Sequence, residues 1–238
     1  MPDCWAASLG NCDQKISREH LVSQCLFDND QIVVQGFRWC PTPKAISLSG
    51  LVSKILCKKH NSDLSDLDSA ALHAFNVFRE GIRLNKAREK IKRPSVWHVK
   101  AFCIDGPRLE RWFLKTLINV SYRGDIPIGT GNHPPGTPSS TLVEIAFGQR
   151  QFDNGGGLYV AGKSGEQVDS MDRVNCTTMT DGRKLVAGRF NFRGYRFLLN
   201  LLSERFKTLD DSDLLYRDVT INCQVQGRIS HRIVLKGW

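Results

Sequence analysis

Two short stretches near the start of the chain carry the residue types that point most directly to chemistry. Glu19 and His20 are adjacent, and further along Cys57-Lys58-Lys59-His60 is followed directly by Asn61. Thiolates and imidazoles are the usual ligands of tetrahedral zinc, whereas carboxylate and amide oxygens suit a hard divalent cation. The stretches therefore predict a closed zinc site beside a second, open cation site, a combination that can hydrolyse phosphodiesters. The four zinc ligands would be Cys4, Cys12, Cys57 and His60.

The spacing of these ligands is uneven. Cys57 and His60 have the spacing of a C-x-x-C zinc knuckle whose last ligand is imidazole. Cys4 and Cys12 form a looser pair, because seven residues intervene, and the turn formers Gly10 and Asn11 would let that loop fold back. Two further thiols, Cys25 and Cys40, are competing ligands, and a set of unrelated buried thiols is the alternative interpretation.

The acid-histidine pair sets a condition on the strand that carries it. Adjacent residues on a regular strand point to opposite faces, so Glu19 and His20 can serve one site only if the strand is twisted or bulged. The histidine would then activate water while the acid and Asn61 hold the divalent cation. Asp63 and Asp68 are candidates for additional metal ligands, but near a helix start we interpret them as caps.

Over residues 4–75 the chain resembles the ββα-metal motif of HNH endonucleases. The similarity lies in Cys12, Lys15-Ile-Ser-Arg-Glu-His20, Val22-Ser23, Ile55-Leu-Cys-Lys-Lys-His-Asn61 and Ser65. It implies that His20 is the general base, that Glu19 and Asn61 bind a catalytic Mg²⁺ or Mn²⁺, and that Cys4, Cys12, Cys57 and His60 bind a structural zinc. The chain differs from the motif in having Glu where Asp is frequent, a stretched first knuckle, and no middle Asn within residues 47–51.

We therefore predict a metal-dependent, HNH-like endonuclease that hydrolyses phosphodiester bonds in DNA, with RNA as the other candidate substrate. The alternative is a non-catalytic, zinc-stabilised nucleic-acid-binding protein, which the missing middle Asn would permit. A match to the phosphate-loop pattern ending at Lys163-Ser164 is interpreted as a strand and turn, because no apolar helix follows it. The residues predicted to contact nucleic acid are Arg18, Arg83, Lys86, Arg88, Lys90, Lys92 and Arg93.

Composition agrees with a polyanionic partner but does not require one. The chain has 238 residues and a net charge of +9, which favours phosphate binding or serves as a solubilising surface charge. No apolar run reaches the roughly 20 residues needed to span a bilayer, and the N-terminus lacks a secretory pattern. These features predict a cytoplasmic protein with no membrane partner, in which the eight cysteines are thiols or metal ligands.

The elements that must position these residues predict an α+β fold in two parts. Residues 1–95 would form the zinc-stapled HNH-like domain with its basic helix, and residues 96–238 an α+β domain of unknown role with an antiparallel sheet. The second part is a candidate surface for a protein partner. Predicted helices cover 65–93 (ended by Pro94), 109–120, 141–147 and 197–206, with a loop at 124–140; predicted strands cover 16–22, 51–56, 157–161, 174–179, 184–192, 218–224 and 229–235, with a hairpin turn at Asp181-Gly182.

Overall fold

The computed structural model describes residues 3–13, 15–35, 40–93, 97–162, 174–204, 214–217 and 219–238. The fold is α+β with antiparallel sheets, as the sequence predicts. The helices are α1 (Lys58–Asp63), α2 (Ser65–Glu89), α3 (Gly106–Ser121) and α4 (Ser140–Ala146). The strands are β1 (Ile16–His20), β2 (Gln31–Val34), β3 (Lys44–Ser47), β4 (Val52–Cys57), β5 (Lys100–Asp105), β6 (Gly157–Ala161), β7 (Val174–Asp181), β8 (Lys184–Phe192), β9 (Tyr195–Asn200), β10 (Leu214–Tyr216), β11 (Thr220–Val225) and β12 (Arg228–Lys236).

The first part of the chain builds a small antiparallel sheet followed directly by two helices. β1 pairs with β4, and β2 pairs with β3 in a separate two-stranded sheet between them in the chain. β4 leads without a loop into α1, whose N-cap is Cys57, and α2 begins two residues after α1 ends. The chain order here is thus four strands followed by two helices, with β1 and β4 paired and α1 continuing directly from β4.

The second part contains two further sheets. Five antiparallel strands lie in the order β10-β6-β9-β8-β7, and three more in the order β11-β12-β5, with β5 parallel to β12. β7 and β8 are joined at Asp181 and Lys184 through Gly182, which has a φ of 55°. The predicted hairpin turn is therefore confirmed, because glycine readily adopts the left-handed backbone that such a turn requires.

The helix predicted at 197–206 is wrong over its described residues. β9 occupies Tyr195–Asn200 and pairs on both edges, with β6 and with β8. Residues 197–200 are all buried, including the apolar run Phe197–Leu199, because a central strand packed on both faces needs no polar alternation. Such a run cannot be told from a buried helix by periodicity. Residues 205–206 lie outside the described residues, as do Pro94, Asp218 and the residues Lys163 and Ser164 that end the phosphate-loop pattern.

Helix α3 is the central element of the core. Asp105 caps it by accepting a hydrogen bond from the Arg108 N–H, and Pro107 stands in its first turn, where a missing N–H costs nothing. Residues 112–119 are all buried, so the helix is covered on every side. One hydrophobic cluster extends from Cys4 to Leu235 and is continuous across the predicted boundary near residue 95. None of the described helices combines the length and apolar composition needed to cross a membrane.

Candidate functional site

Three thiols surround one imidazole near the start of the chain. The Nδ1 atom of His60 lies 3.4 Å from Cys4 Sγ, 3.7 Å from Cys12 Sγ and 3.3 Å from Cys57 Sγ. Sulfur and nitrogen ligands of a tetrahedral zinc lie about 3.6 Å apart, given bond lengths of about 2.3 and 2.1 Å. The four ligand atoms all fall within 4.8 Å of one another, so this cluster could hold a metal ion such as zinc.

Local backbone structure explains how these ligands meet. Cys57 ends β4 and caps α1, so its sulfur accepts a hydrogen bond from the His60 N–H and the two side chains share one turn. The N-terminal segment is tied to the same strand, because the Trp5 N–H donates to the Ile55 carbonyl at 3.0 Å. That bond places Cys4 beside Cys57, and residues 5–12 loop back to deliver Cys12.

The other cysteines considered for this cluster lie elsewhere. Cys40 is buried with its thiol against the carbonyls of Val34 and Thr42, and the thiol of Cys25 is exposed near the Asp68 carbonyl. Among the residues that the structure describes, the metal-ligand group found is the predicted one. The prediction of these four ligands is therefore confirmed as a cluster able to bind metal.

The protonation of the cluster follows from its burial. Burial raises the pKa of the Cys4 thiol to about 12, so without a cation this thiol stays protonated. Burial also lowers the pKa of His60, which favours the neutral imidazole that a metal requires. Burial by itself would raise the pKa of the Cys57 thiol. Hydrogen bonds, first among them the one from the His60 N–H, outweigh burial and lower this pKa.

The pairing of β1 with β4 is irregular just before the acid-histidine pair. The register shifts between Ser17 and Glu19, where the extra residue lies on β4, and Glu19 and His20 then pair in regular succession with Ser53 and Val52. Glu19 and His20 both line one cavity of about 380 Å³. The remaining lining residues are Ser23, Gln24, Cys25 and Asp68.

A buried ammonium lies between two carboxylates of this cavity. Lys115 Nζ on α3 is 2.8 Å from Glu19 Oε1, and 2.9 and 3.0 Å from the two carboxylate oxygens of Asp68. The Lys115 side chain is 2% exposed and that of Glu19 is 7% exposed. Burial acts against the ammonium, but the charges of Glu19 and Asp68 outweigh it and raise the pKa of Lys115. Asp68 is therefore not a helix cap, as the sequence suggested, but a partner of Lys115.

Further buried polar groups hold these carboxylates in place. The Asn119 amide donates to Glu19 Oε1 at 3.4 Å and to the His20 carbonyl at 3.3 Å, while its oxygen accepts from the Trp5 indole at 3.0 Å. On the other side the Ser23 hydroxyl donates to Asp68 at 2.5 Å. The network thus extends from the metal-ligand loop to α3, so the two parts of the chain build the site together.

These contacts do not bring together the predicted cation ligands Glu19 and Asn61. Glu19 contacts an ammonium and an amide, and Asn61 is not among the residues that line the cavity. A Mg²⁺ or Mn²⁺ held by this pair stays a prediction. Other contacts hold residues 47–51, the segment that lacks the middle Asn of the motif. Ser47 caps a short 3-10 turn there, and the Leu21 N–H donates to the Leu51 carbonyl.

The basic residues predicted to contact nucleic acid divide into two groups. Arg88 is 8% exposed and donates to the carbonyls of Ser230 and His98, with its guanidinium 5.2 Å from the Trp97 ring centroid. Its prediction as a phosphate contact is wrong, because α2 presents this side chain to β12. The exposed members are Arg18, Arg83, Lys86, Lys90, Lys92 and Arg93.

Sequence reasoning missed the contribution of α3. Lys115 and Asn119 are polar residues one turn apart within the buried stretch 112–119 of this helix, and Trp112, a turn earlier, donates to the Ser23 hydroxyl at 2.8 Å. A lysine at a core position of an apolar helix is a signal of a buried partner, although the spacing does not say which acid it meets. No protein-family model, curated protein or solved structure matches this chain.

Proposed function

We propose that this protein is an HNH-like phosphodiester hydrolase that acts on DNA, with His20 as the general base. The observation that carries the proposal is that Glu19 and His20 line one cavity although they are adjacent on β1. This cavity is accompanied by the paired strands β1 and β4 with α1 following, and by the cysteine-histidine cluster, both of which the HNH resemblance implies.

The chemistry required of His20 is proton removal from the attacking water. A neutral imidazole accepts that proton as the oxygen approaches phosphorus, and the leaving oxygen departs on the opposite side. His20 is half-buried, and its backbone is held by pairing with Val52 and by the Asn119 amide. A base fixed in this way contributes mainly through its position relative to the scissile phosphate.

The cysteine-histidine cluster would have a structural role in this proposal. Three of its four ligands are buried, and all four belong to the segments that fix β1, β4 and α1. A zinc bound there would crosslink these elements. The ligand set leaves no open position for substrate, which is typical of structural zinc rather than catalytic zinc.

A basic surface at the C-terminal end of α2 supports a nucleic-acid substrate. The exposed face of α2 carries Arg83 and Lys86, and the residues after the helix carry three more cations. Phosphate contacts by such residues release counterions and supply most of non-specific affinity. Arg18, on the same strand as His20, is also exposed.

The second candidate function is non-catalytic binding of nucleic acid. It is favoured by the contact of Glu19 with Lys115, which leaves that carboxylate without the metal role expected in a hydrolase of this type. In that case the cluster and the basic surface would serve binding alone.

Cleavage of plasmid DNA by the zinc-loaded protein, with and without Mg²⁺ or Mn²⁺, tests the proposal. Removing a general base costs about 10²–10⁴-fold in rate, so His20→Ala should lose nearly all cleavage while retaining DNA binding. His98→Ala is the matched control, since that side chain is exposed and outside the cavity. Cleavage by His20→Ala at the wild-type rate would end the proposal, and DNA binding without any cleavage by wild type would favour the second candidate.

A further inference from the structure

We infer that the Lys115 ammonium takes the place of the divalent cation at the Glu19 and Asp68 carboxylates. The catalytic meaning of this inference rests on the proposed function, but the assignment of the cation does not. Lys115 is a positioning residue in this view: it holds the two carboxylates at the cavity and compensates their charge. Hydrolysis would accordingly need the structural zinc but no added Mg²⁺ or Mn²⁺.

The distances fit an ammonium and not a divalent ion. Lys115 Nζ lies between 2.8 and 3.0 Å from three carboxylate oxygens, which is the ordinary range of charge-assisted hydrogen bonds. Mg²⁺ requires oxygens at about 2.1 Å in a nearly octahedral shell, and Mn²⁺ favours a similar set. Both carboxylates would have to move inward by most of an ångström to bind such an ion at this position.

The surroundings of Lys115 prevent its easy displacement. The side chain is 2% exposed and projects from the central helix of the core. Glu19 is held by the Asn119 amide and Asp68 by the Ser23 hydroxyl, so the acceptors are fixed as well as the donor. A divalent ion entering beside the ammonium would meet a like charge within a few ångströms in a poorly solvated site, which strongly opposes binding.

This arrangement makes a gain-of-binding experiment the sharpest test. Removing the ammonium in Lys115→Ala leaves two carboxylates facing a small polar space that connects with the cavity, and these are hard ligands for a divalent ion. Titration of zinc-loaded protein with Mn²⁺, followed by electron paramagnetic resonance of the free ion, measures uptake directly. We expect no specific Mn²⁺ binding by wild type and at least about tenfold tighter binding by Lys115→Ala.

Two matched variants assign the new site. The double variant Lys115→Ala/Glu19→Gln should lose the gained Mn²⁺ site, because one of its two carboxylates is neutral. Lys59→Ala should bind no Mn²⁺, although it also removes a lysine from a carboxylate at 2.7 Å, because that pair is exposed on α1. Lys115→Gln replaces Lys115→Ala if the alanine variant fails to give a native near-ultraviolet circular dichroism spectrum.

Glu19-dependent Mn²⁺ binding by wild type would overturn the inference, and so would a folded Lys115 variant that gains no binding. DNA cleavage by wild type that appears only with added Mg²⁺ would overturn it as well while leaving the proposed function intact. Absence of cleavage under all conditions would count against the proposed function, whereas the Mn²⁺ titration would still decide the role of Lys115.

Discussion

Removal of metal from the cysteine-histidine cluster should destabilise the whole protein. The cluster joins residues that are distant in the chain: 56 positions separate Cys4 from His60, and 48 separate Cys12 from His60. We therefore expect the bound metal to act as a crosslink between the N-terminal loop and α1.

The size of the effect follows from loop closure. A crosslink that closes a loop of about 55 residues reduces the entropy of the unfolded chain by an amount worth about 4 kcal/mol at 25 °C. Binding to the unfolded thiols would reduce that figure, while exposure of buried thiols such as Cys57 would add to it. We expect the free energy of unfolding to fall by about 4 kcal/mol, which is a large share of the 5–15 kcal/mol typical of a domain.

Urea unfolding followed by tryptophan fluorescence measures this change. Trp5 is 4% exposed, directly beside Cys4, and so reports on the loop itself. Zinc-loaded protein is compared with chelated protein and with His60→Ala, and elemental analysis gives zinc per chain at each step. Cys103→Ser is the matched control, since its thiol is exposed and outside the cluster.

Two results would refute the reasoning. One is a purified protein that takes up no zinc when refolded with an equimolar amount. The other is a chelated protein, proven free of zinc, whose unfolding free energy lies within about 1 kcal/mol of the loaded form, since the crosslink term is about fourfold larger.

Three further predictions concern charge. Lys115→Met should lower the free energy of unfolding by about 3–5 kcal/mol because it leaves buried carboxylates unpaired, as urea unfolding will show. Lys59→Met, which removes a lysine from an exposed pair, should cost far less in the same measurement. Burial lowers the pKa of His231 to about 4, so between about pH 6.5 and 4 the unfolded chain binds a proton that the folded chain does not. The free energy of unfolding should therefore decrease by up to about 3 kcal/mol as the pH is lowered through this range, and His231→Phe should lack this component in pH-dependent unfolding. Arg83→Ala, whose side chain is 84% exposed, should weaken DNA binding and reduce the slope of log K against log salt by about 1, measured by fluorescence anisotropy with Lys54→Ala as the control.

The metal ligands could be predicted because most of their geometry is local. Cys57 and His60 occupy one helical turn, so the spacing itself brings their ligand atoms together. Cys4 and Cys12 were harder to predict as metal ligands. Their position depends on the backbone hydrogen bond between Trp5 and Ile55, which cannot be read from the spacing of cysteines. The choice against Cys25 and Cys40 needed the fold, because thiol chemistry is the same at all of these positions.

The strands also divide into those that local sequence predicts and those that it does not. β6 and β8 were predicted at their observed bounds, helped by flanking glycines and by the turn at Gly182. β5 and β9 were missed, and β9 was interpreted as a helix. β5 pairs with β12 more than a hundred residues later, and β9 lies between β6 and β8 in the middle of a sheet. Propensity has little power where tertiary burial decides the conformation.

The acidic cavity marks the limit of inference from local sequence. The sequence set a condition for Glu19 and His20, a twisted or bulged strand, but did not indicate the ion that would face them. That ion comes from α3, in the part of the chain assigned no role: Lys115 neutralises Glu19 and Asp68, and Asn119 fixes Glu19 and His20 together. Without α3 the carboxylates of Glu19 and Asp68 would lie beside the cavity without their ammonium partner, a state that low-dielectric surroundings strongly disfavour. Residues beyond 96 therefore complete the site chemically, and the continuous core is the means by which one buried ammonium is held where the resemblance led us to expect a metal.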